Sequence, residues 1–230
     1  MKEYIENTNK DLNKARLSNE ITMMKLKYFE KDPAQGQTFN PDLVFGEVIK
    51  NIPKKFLEYI DTIVLGKFDF LKKRDLDALY LDGSIYLSNE PRDDISDLVD
   101  DIIHETGHAV EKNNEASIYA DGKVEKEFLA KRERLYLALK GNGFSEEADF
   151  YDFNNPEYDE QFDNFLYQEV GYPLLTTLTF SDFCSPYGAT SLREYFANCF
   201  EHYFYIHDPE YVRHVAPTTT NKIEELIEDD

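Results

Sequence analysis

The stretch DDISDLVDDIIHETGHAVEKN, residues 93–113, decides the fold expected for this chain. Its apolar residues recur at offsets of three and four, which predicts an amphipathic helix packed on a core. They are Ile95, Leu98, Val99, Ile102, Ile103, Ala109 and Val110. The same offsets give the helix a polar face with Asp97, Asp101, His104, His108 and Glu111. We expect Asp97 and Asp101 to be solvated, with hydrogen bonding to His104 as the alternative.

Within this helix, residues 104–108 form the pattern H-E-x-x-H. On a helix, this pattern presents two imidazoles one turn apart, about the separation that two ligands of a tetrahedral zinc ion need. Glu105 lies about 100° around the helix from His104, so it is placed to act as a general base on water, not as a ligand. The alternative is a pair of solvated histidines, although chance produces the pattern in only about one such chain in a hundred. We predict one Zn²⁺ ion bound by His104 and His108.

A catalytic zinc ion usually has three protein ligands, so a third must come from elsewhere in the chain. Glu194 is the candidate, because it is a carboxylate in an otherwise apolar helix predicted from about Ser191 to His207. A buried carboxylate is costly without a cation, and zinc removes that cost. The alternatives for Glu194 are a salt bridge to Arg193 or a favourable charge at the helix N-terminus. Glu201 and His202 are fallback ligands.

These residues resemble the gluzincin metalloendopeptidases, and within them the catalytic domain of anthrax lethal factor and the bacterial Pro-Pro endopeptidases. Two segments carry the resemblance: HETGHAV at 104–110, after a predicted strand, and EYFANCF at 194–200. The second segment is similar to the family's E-F-F-A-E-x-F helix. The resemblance implies a zinc-dependent endopeptidase that hydrolyses peptide bonds, in which Glu105 is the catalytic base.

The resemblance also implies a catalytic tyrosine seven residues before the glutamate ligand, a position that Tyr187 occupies here. Its hydroxyl would donate to the oxyanion that forms when water attacks the scissile carbonyl. Tyr172 and Tyr195 are the alternatives. This sequence departs from the family in having Asn198 where an acid is usual, and in separating His108 from its third ligand by 86 residues. Substrate preference therefore cannot be carried over.

Residues 78–88, ALYLDGSIYLS, predict two antiparallel strands joined at Asp82-Gly83, since both turn residues tolerate positive φ. The resemblance implies that an edge strand of the sheet aligns the substrate by main-chain pairing. Ser84, Ile85 and Tyr86 are expected to bind substrate in this way, and an ordinary internal strand is the alternative.

The expected fold class is α+β: a zincin-like metalloprotease fold, with a small mixed sheet, an active-site helix and a second helix that carries the glutamate ligand. Upstream, the apolar residues Leu17, Ile21, Met24 and Tyr28 recur at spacings of four, three and four, which predicts a helix from about residue 9 to 30. The expected organisation is an N-terminal helical arm at 1–35, a catalytic domain at 36–215 with an acidic insertion at about 114–176, and an acidic tail at 216–230.

The formal charge of −21 comes from 46 acidic and 25 basic residues. Such a surface repels phosphates and anionic headgroups, so neither nucleic acid nor membrane is an expected partner. The acidity is explained by solubility, or else by attraction of a basic protein substrate. Cys184 and Cys199 are too few for a disulfide scaffold, which indicates a reducing compartment.

No secretory apolar region opens the sequence, and no segment is long and apolar enough to span a bilayer. We therefore expect synthesis as a cytoplasmic protein, with later incorporation into a particle or release by another route left open. The alternative function is that of a non-catalytic or self-processing zincin-fold protein of a phage particle or toxin assembly. Its partners would then be neighbouring proteins of that assembly.

Overall fold

The turn at Asp82 and Gly83 joins two antiparallel strands, as the sequence predicts. Both turn residues have positive φ, 46° and 81°, a conformation that Asp-Gly adopts at little steric cost. The structure, a computed structural model, describes residues 17–20, 26–36, 40–92, 94–206 and 208–229. Contacts divide the chain into two compact units, residues 1–110 and 111–230.

The elements of the first unit end with the helix that carries the H-E-x-x-H pattern, and this helix continues three residues into the second unit. In chain order they are β1 (Leu17–Glu20), β2 (Lys27–Glu30), α1 (Pro41–Asn51), α2 (Lys54–Leu57), β3 (Thr62–Gly66), α3 (Asp69–Arg74), β4 (Ala78–Leu81), β5 (Ser84–Ser88) and α4 (Ile95–Asn113).

The described strands form one mixed sheet in the order β1-β2-β3-β5-β4. The two central pairings, β2 with β3 and β3 with β5, are parallel, and the two outer pairings are antiparallel. On one face, Val64 and Tyr86 pack with Phe68 and Leu71 in a buried cluster. The rings of Phe68 and Tyr86 meet edge to face at 5.2 Å, a favoured aromatic geometry. The α+β class and the small mixed sheet are therefore confirmed.

The prediction that Ser84, Ile85 and Tyr86 form a substrate-aligning edge strand is wrong. Strand β5 is internal, because it pairs in parallel with β3 on one side and antiparallel with β4 on the other. Ile85 is fully buried and Tyr86 is nearly so. The main-chain groups of an internal strand are taken by its neighbours, so they cannot pair with a peptide. The edge beside β5 is β4.

The predicted N-terminal helix is also wrong where the chain is described, because residues 17–20 and 27–30 are strands. The physical reason is visible at the start of β2, where Tyr28 and the preceding Leu26 are buried and Lys27 between them is exposed. That alternation has the period of a strand. Strand β2 pairs in parallel with β3, and the Tyr28 ring packs edge to face on Phe45 of α1 at 5.6 Å. The rest of the predicted arm, residues 1–16 and 21–25, lies outside the described residues.

The second unit is helical throughout its described regular elements. They are α5 (Glu115–Tyr119), α6 (Lys123–Gly141), α7 (Ser145–Phe150), α8 (Glu160–Asn164), a π-helix (Phe165–Gly171), α9 (Tyr172–Thr179), a 3₁₀ helix (Pro186–Ala189), α10 (Leu192–Phe204), α11 (Pro209–Val215) and α12 (Pro217–Glu228). None of the described helices combines the length and apolar character that crossing a membrane requires.

The range 114–176, predicted as an acidic insertion, supplies much of the core of the second unit. Phe128, Leu139 and Phe165 from this range are fully buried. Arg132 is buried with them, and its guanidinium lies 4.1 Å from the centroid of the Phe162 ring, within cation–π range. This range is therefore part of a packed unit.

The predicted acidic tail at 216–230 is a packed helix over Pro217–Glu228. Thr220, Ile223 and Leu226 recur at spacings of three and are buried, which is the stripe of an amphipathic helix. Its N-terminal amides are satisfied from α6, because the Glu127 carboxylate accepts from the backbone N–H groups of residues 218 and 219 at 2.7 and 3.2 Å. Residues 217–228 of the predicted acidic tail are therefore a packed part of the second unit.

Candidate metal centre

The H-E-x-x-H residues lie near the middle of α4, as predicted. The helix forms because Val99, Ile102 and Ile103, all at most 1% exposed, give it a continuous buried face. On the other side, the rings of His104 and His108 lie with their centroids 5.0 Å apart. The potential ligand atoms of His104, Glu105 and His108 all lie within 4.8 Å of one another. These residues form the candidate metal centre.

The centre is more enclosed on one side than on the other. His108 and Glu105 are buried, whereas His104 is only half-buried. Two imidazole nitrogens with a nearby carboxylate are the donor types that zinc takes in proteins. The residues present therefore fit a zinc ion, and the greater exposure of His104 gives the centre a route to solvent.

Glu105 is held in place by the backbone of the edge strand. Its Oε2 accepts a hydrogen bond from the N–H of Tyr80 at 2.5 Å. Tyr80 is in β4, and its N–H points away from β5, so the interaction ties the carboxylate to the outer side of the sheet. A carboxylate has a second oxygen with further acceptor capacity. Oε1 is therefore the atom with which Glu105 can act on a water molecule.

Asp101, one turn before His104, is half-buried and forms an ion pair with Arg92. An Arg92 guanidinium nitrogen lies 2.7 Å from the carboxylate of Asp101. The same side chain donates to the carboxylate and the carbonyl of Asp77, each at 3.2 Å. Burial raises the pKa of Asp101 to about 7, and the charge of Arg92 opposes that rise. Arg92 thereby joins α4 to the residue before β4, the strand that contacts Glu105.

Asp97, which the sequence predicted to be solvated, is exposed on the first turn of α4. Glu111, on the last turn of α4, is buried. It accepts from Arg193 Nε at 2.9 Å and from the Tyr119 hydroxyl at 3.1 Å. Buried acids of this kind are normally paired, because an unpaired carboxylate loses its hydration without compensation.

Glu194, the predicted third ligand, lies in the first turn of α10 and is half-buried. The N-cap residue Ser191 accepts a hydrogen bond from the Glu194 backbone N–H at 3.2 Å, as Ser does in a capping box. Glu194 is therefore an acidic residue at a helix N-terminus, which is one of the alternatives left open by the sequence. The other alternative, an ion pair with Arg193, has a competitor, because Arg193 pairs with Glu111. This pair ties the start of α10 to the last turn of α4.

Tyr187, the predicted oxyanion donor, is the second residue of the 3₁₀ helix and is half-buried. Its backbone is fixed, because its carbonyl accepts from the N–H and the hydroxyl of Thr190 at 3.0 and 2.8 Å. The next residue, Gly188, packs on α10 so closely that an added Cβ would lie 3.2 Å from Asn198 Oδ1. Asn198 is buried where the resembled family usually has an acid. The two alternative candidates for the oxyanion donor differ in exposure: Tyr195 is buried and Tyr172 is exposed.

Three contacts of this region escaped the sequence analysis: the Tyr80 N–H to Glu105, the Arg92 bridge and the pairing of Glu111. Of the three, only the pairing of Glu111 could have been suspected from the sequence, because Glu111 follows His108 by three residues on the polar face of the helix.

Comparisons of this chain with protein-family models, with curated proteins and with solved structures found no match.

Proposed function

We propose that this protein is a zinc-dependent endopeptidase of the gluzincin type with a zincin-like fold. The observation that carries the proposal is the His-Glu-His centre on α4, in which Glu105 and His108 are buried and the glutamate is oriented by the edge strand. Surface histidines at this spacing would not need a buried carboxylate between them. The centre combines two zinc-type ligands with a proton acceptor, which are two of the parts that metal-assisted hydrolysis needs.

Zinc, when bound, would lower the pKa of a water molecule and polarise the scissile carbonyl. His104 and His108 would hold the ion as neutral imidazoles. Glu105 would accept the proton of the attacking water on Oε1 and later deliver it to the leaving amine. The Tyr80 N–H keeps the carboxylate oriented throughout, so little reorganisation is needed when the proton moves.

Glu194 and Tyr187 complete the proposal as third ligand and oxyanion donor. The similarity of residues 194–200 to the family's ligand-bearing helix supports the first assignment. The anchored backbone of Tyr187 supports the second, because an oxyanion donor is effective when its position is fixed before the reaction.

Strand β4 takes the substrate-aligning role that the sequence analysis assigned to β5. It is an edge of the sheet, and Tyr80 turns its main-chain groups outward. The N–H of Tyr80 is used by Glu105, so its carbonyl is the group that would accept from a bound peptide. An extended peptide would therefore add to the sheet beside the base.

The test measures zinc and peptide cleavage on the same preparations. Protein freed of metal and reloaded with Zn²⁺ is expected to hold one ion per chain and to cleave a mixed peptide library. Glu105→Gln should hold the same zinc and lose hydrolysis, whereas His108→Ala should lose both. An inactive wild-type protein with one bound zinc would favour the assembly protein, and undiminished turnover by Glu105→Gln would remove the proposed base.

A further inference from the structure

The two cysteines of the chain meet in the second unit although they are distant in sequence. Cys184 lies just before the 3₁₀ helix, Cys199 lies on α10, and their Sγ atoms are 3.8 Å apart. Both are free thiols. A disulfide needs its sulfurs about 2.0 Å apart, so a movement of less than about 2 Å would join them.

The two thiols differ in their access to solvent. Cys199 is fully buried, whereas Cys184 is half-buried. Burial raises the pKa of Cys199, and the nearby charge of Lys131 opposes that effect. Lys131 is itself buried and donates to the Tyr195 hydroxyl at 2.5 Å and to the Val215 carbonyl at 2.6 Å. Solvent therefore has access to Cys184, and the buried Cys199 thiol lies next to it.

We propose that Cys184 and Cys199 form a redox modification site that reacts with a hydroperoxide. The sulfur of Cys184 attacks the peroxide, so an S–O bond forms and the O–O bond breaks, and the leaving hydroxide takes the Cys184 thiol proton and departs as water. The sulfur of Cys199 then attacks the sulfenic acid, forming the S–S bond as the S–O bond breaks. The departing oxygen takes the Cys199 proton and leaves as water. Both cysteines are oxidised, and with hydrogen peroxide as the oxidant the products are the disulfide and two molecules of water.

The position of the pair gives the modification a consequence. The disulfide would close a loop of 16 residues that contains the 3₁₀ helix and the start of α10. Tyr187 and Glu194 both lie inside that loop. If the proposed function holds, oxidation would restrain both residues at once, but the chemistry of the pair does not depend on that function.

The test uses the whole folded chain with a metal chelator, hydrogen peroxide as the probe, and intact-mass and peptide analysis. Wild type is expected to become about 2 Da lighter, to contain a 184–199 crosslink, and to recover fully with dithiothreitol. The matched variant Cys199→Ser has no second thiol, so Cys184 should proceed to the sulfinic acid, about 32 Da heavier. Cys184→Ser should stay unmodified, because Cys199 is shielded.

Two results would overturn the proposal. The first is wild-type Cys184 reaching the sulfinic acid without a crosslink, at a peroxide dose that oxidises Cys199→Ser. The second is native wild type that keeps both thiols at a dose that crosslinks the urea-unfolded chain. Neither readout uses peptidase activity, so a failure here leaves the proposed function standing. A protein without hydrolytic activity would likewise leave this result standing.

Discussion

Replacing Glu105 should affect folding stability in a way that separates its structural role from its chemical role. In the structure its Oε2 accepts from the Tyr80 N–H at 2.5 Å, and its side chain is buried. Glu105→Ala removes the acceptor and leaves the Tyr80 amide without it. Glu105→Gln keeps a carbonyl oxygen that can accept from the same N–H but cannot take a proton from water at neutral pH.

The size of the effect follows from the contact. A hydrogen bond to a charged group contributes about 1.5–3 kcal/mol, and relief of the buried charge offsets part of its loss. We therefore expect Glu105→Ala to lower the free energy of unfolding by about 2 kcal/mol. For a chain of this length that corresponds to a decrease in Tm of about 4–8 °C. Glu105→Gln should lose about 1 kcal/mol or less, because the bond survives without its charge.

The assay is thermal unfolding with a chelator present, since bound zinc would add its own stabilisation. Glu133→Ala, an exposed glutamate on α6, serves as the matched control and should shift Tm by no more than about 2 °C. If Glu105→Ala has the same Tm as wild type, the Tyr80 contact contributes no net stability, and the argument that this contact orients the proposed base fails. If the Tm of Glu105→Gln decreases as much as that of Glu105→Ala, the interaction with β4 depends on the negative charge of Glu105 and not on its acceptor geometry.

Three further outcomes are expected. Glu194→Ala should reduce zinc occupancy at least tenfold in equilibrium dialysis, and a fully loaded variant would show that another residue is the third ligand. Tyr187→Phe should lower kcat by about a hundredfold with zinc content unchanged, and an unaltered kcat would dismiss it as the oxyanion donor. Glu127→Gln should lower the free energy of unfolding by about 2 kcal/mol in urea, because the carboxylate accepts four hydrogen bonds from Tyr195, Thr218 and Thr219. Glu133→Gln on the same helix should not, and equal stability of the two variants would contradict the capping role.

The features that the sequence predicted correctly are those whose cause is local. Helix α4 follows from the spacing of its own apolar residues, and the β4–β5 turn follows from the φ tolerance of Asp82 and Gly83. The H-E-x-x-H geometry needs only the rise and twist of that helix, so the approach of His104 to His108 was predictable. None of these features requires knowledge of a distant partner.

The errors arise where a distant partner decides the structure. The spacing from Leu17 to Tyr28 fits a helical stripe, but β2 pairs with β3 and β1 pairs with β2, so the described part of that segment forms strands. Which strand of a hairpin is internal depends on β3, which the hairpin sequence does not reveal. The helix at 217–228 is capped by a glutamate about 90 residues earlier in the chain, so composition alone indicated only a polar tail.

The edge strand and Glu105, the proposed base, have to be considered as one arrangement. Had β5 been the edge, substrate pairing and base orientation would involve different strands and could change independently. With β4 as the edge, the N–H of Tyr80 orients Glu105 while its carbonyl faces the side where a peptide would pair. Arg92 fixes the residue before this strand to Asp101 on α4. If the proposed peptidase function holds, a change that shifts β4 should alter peptide affinity and the position of Glu105 together, so KM and kcat should respond jointly.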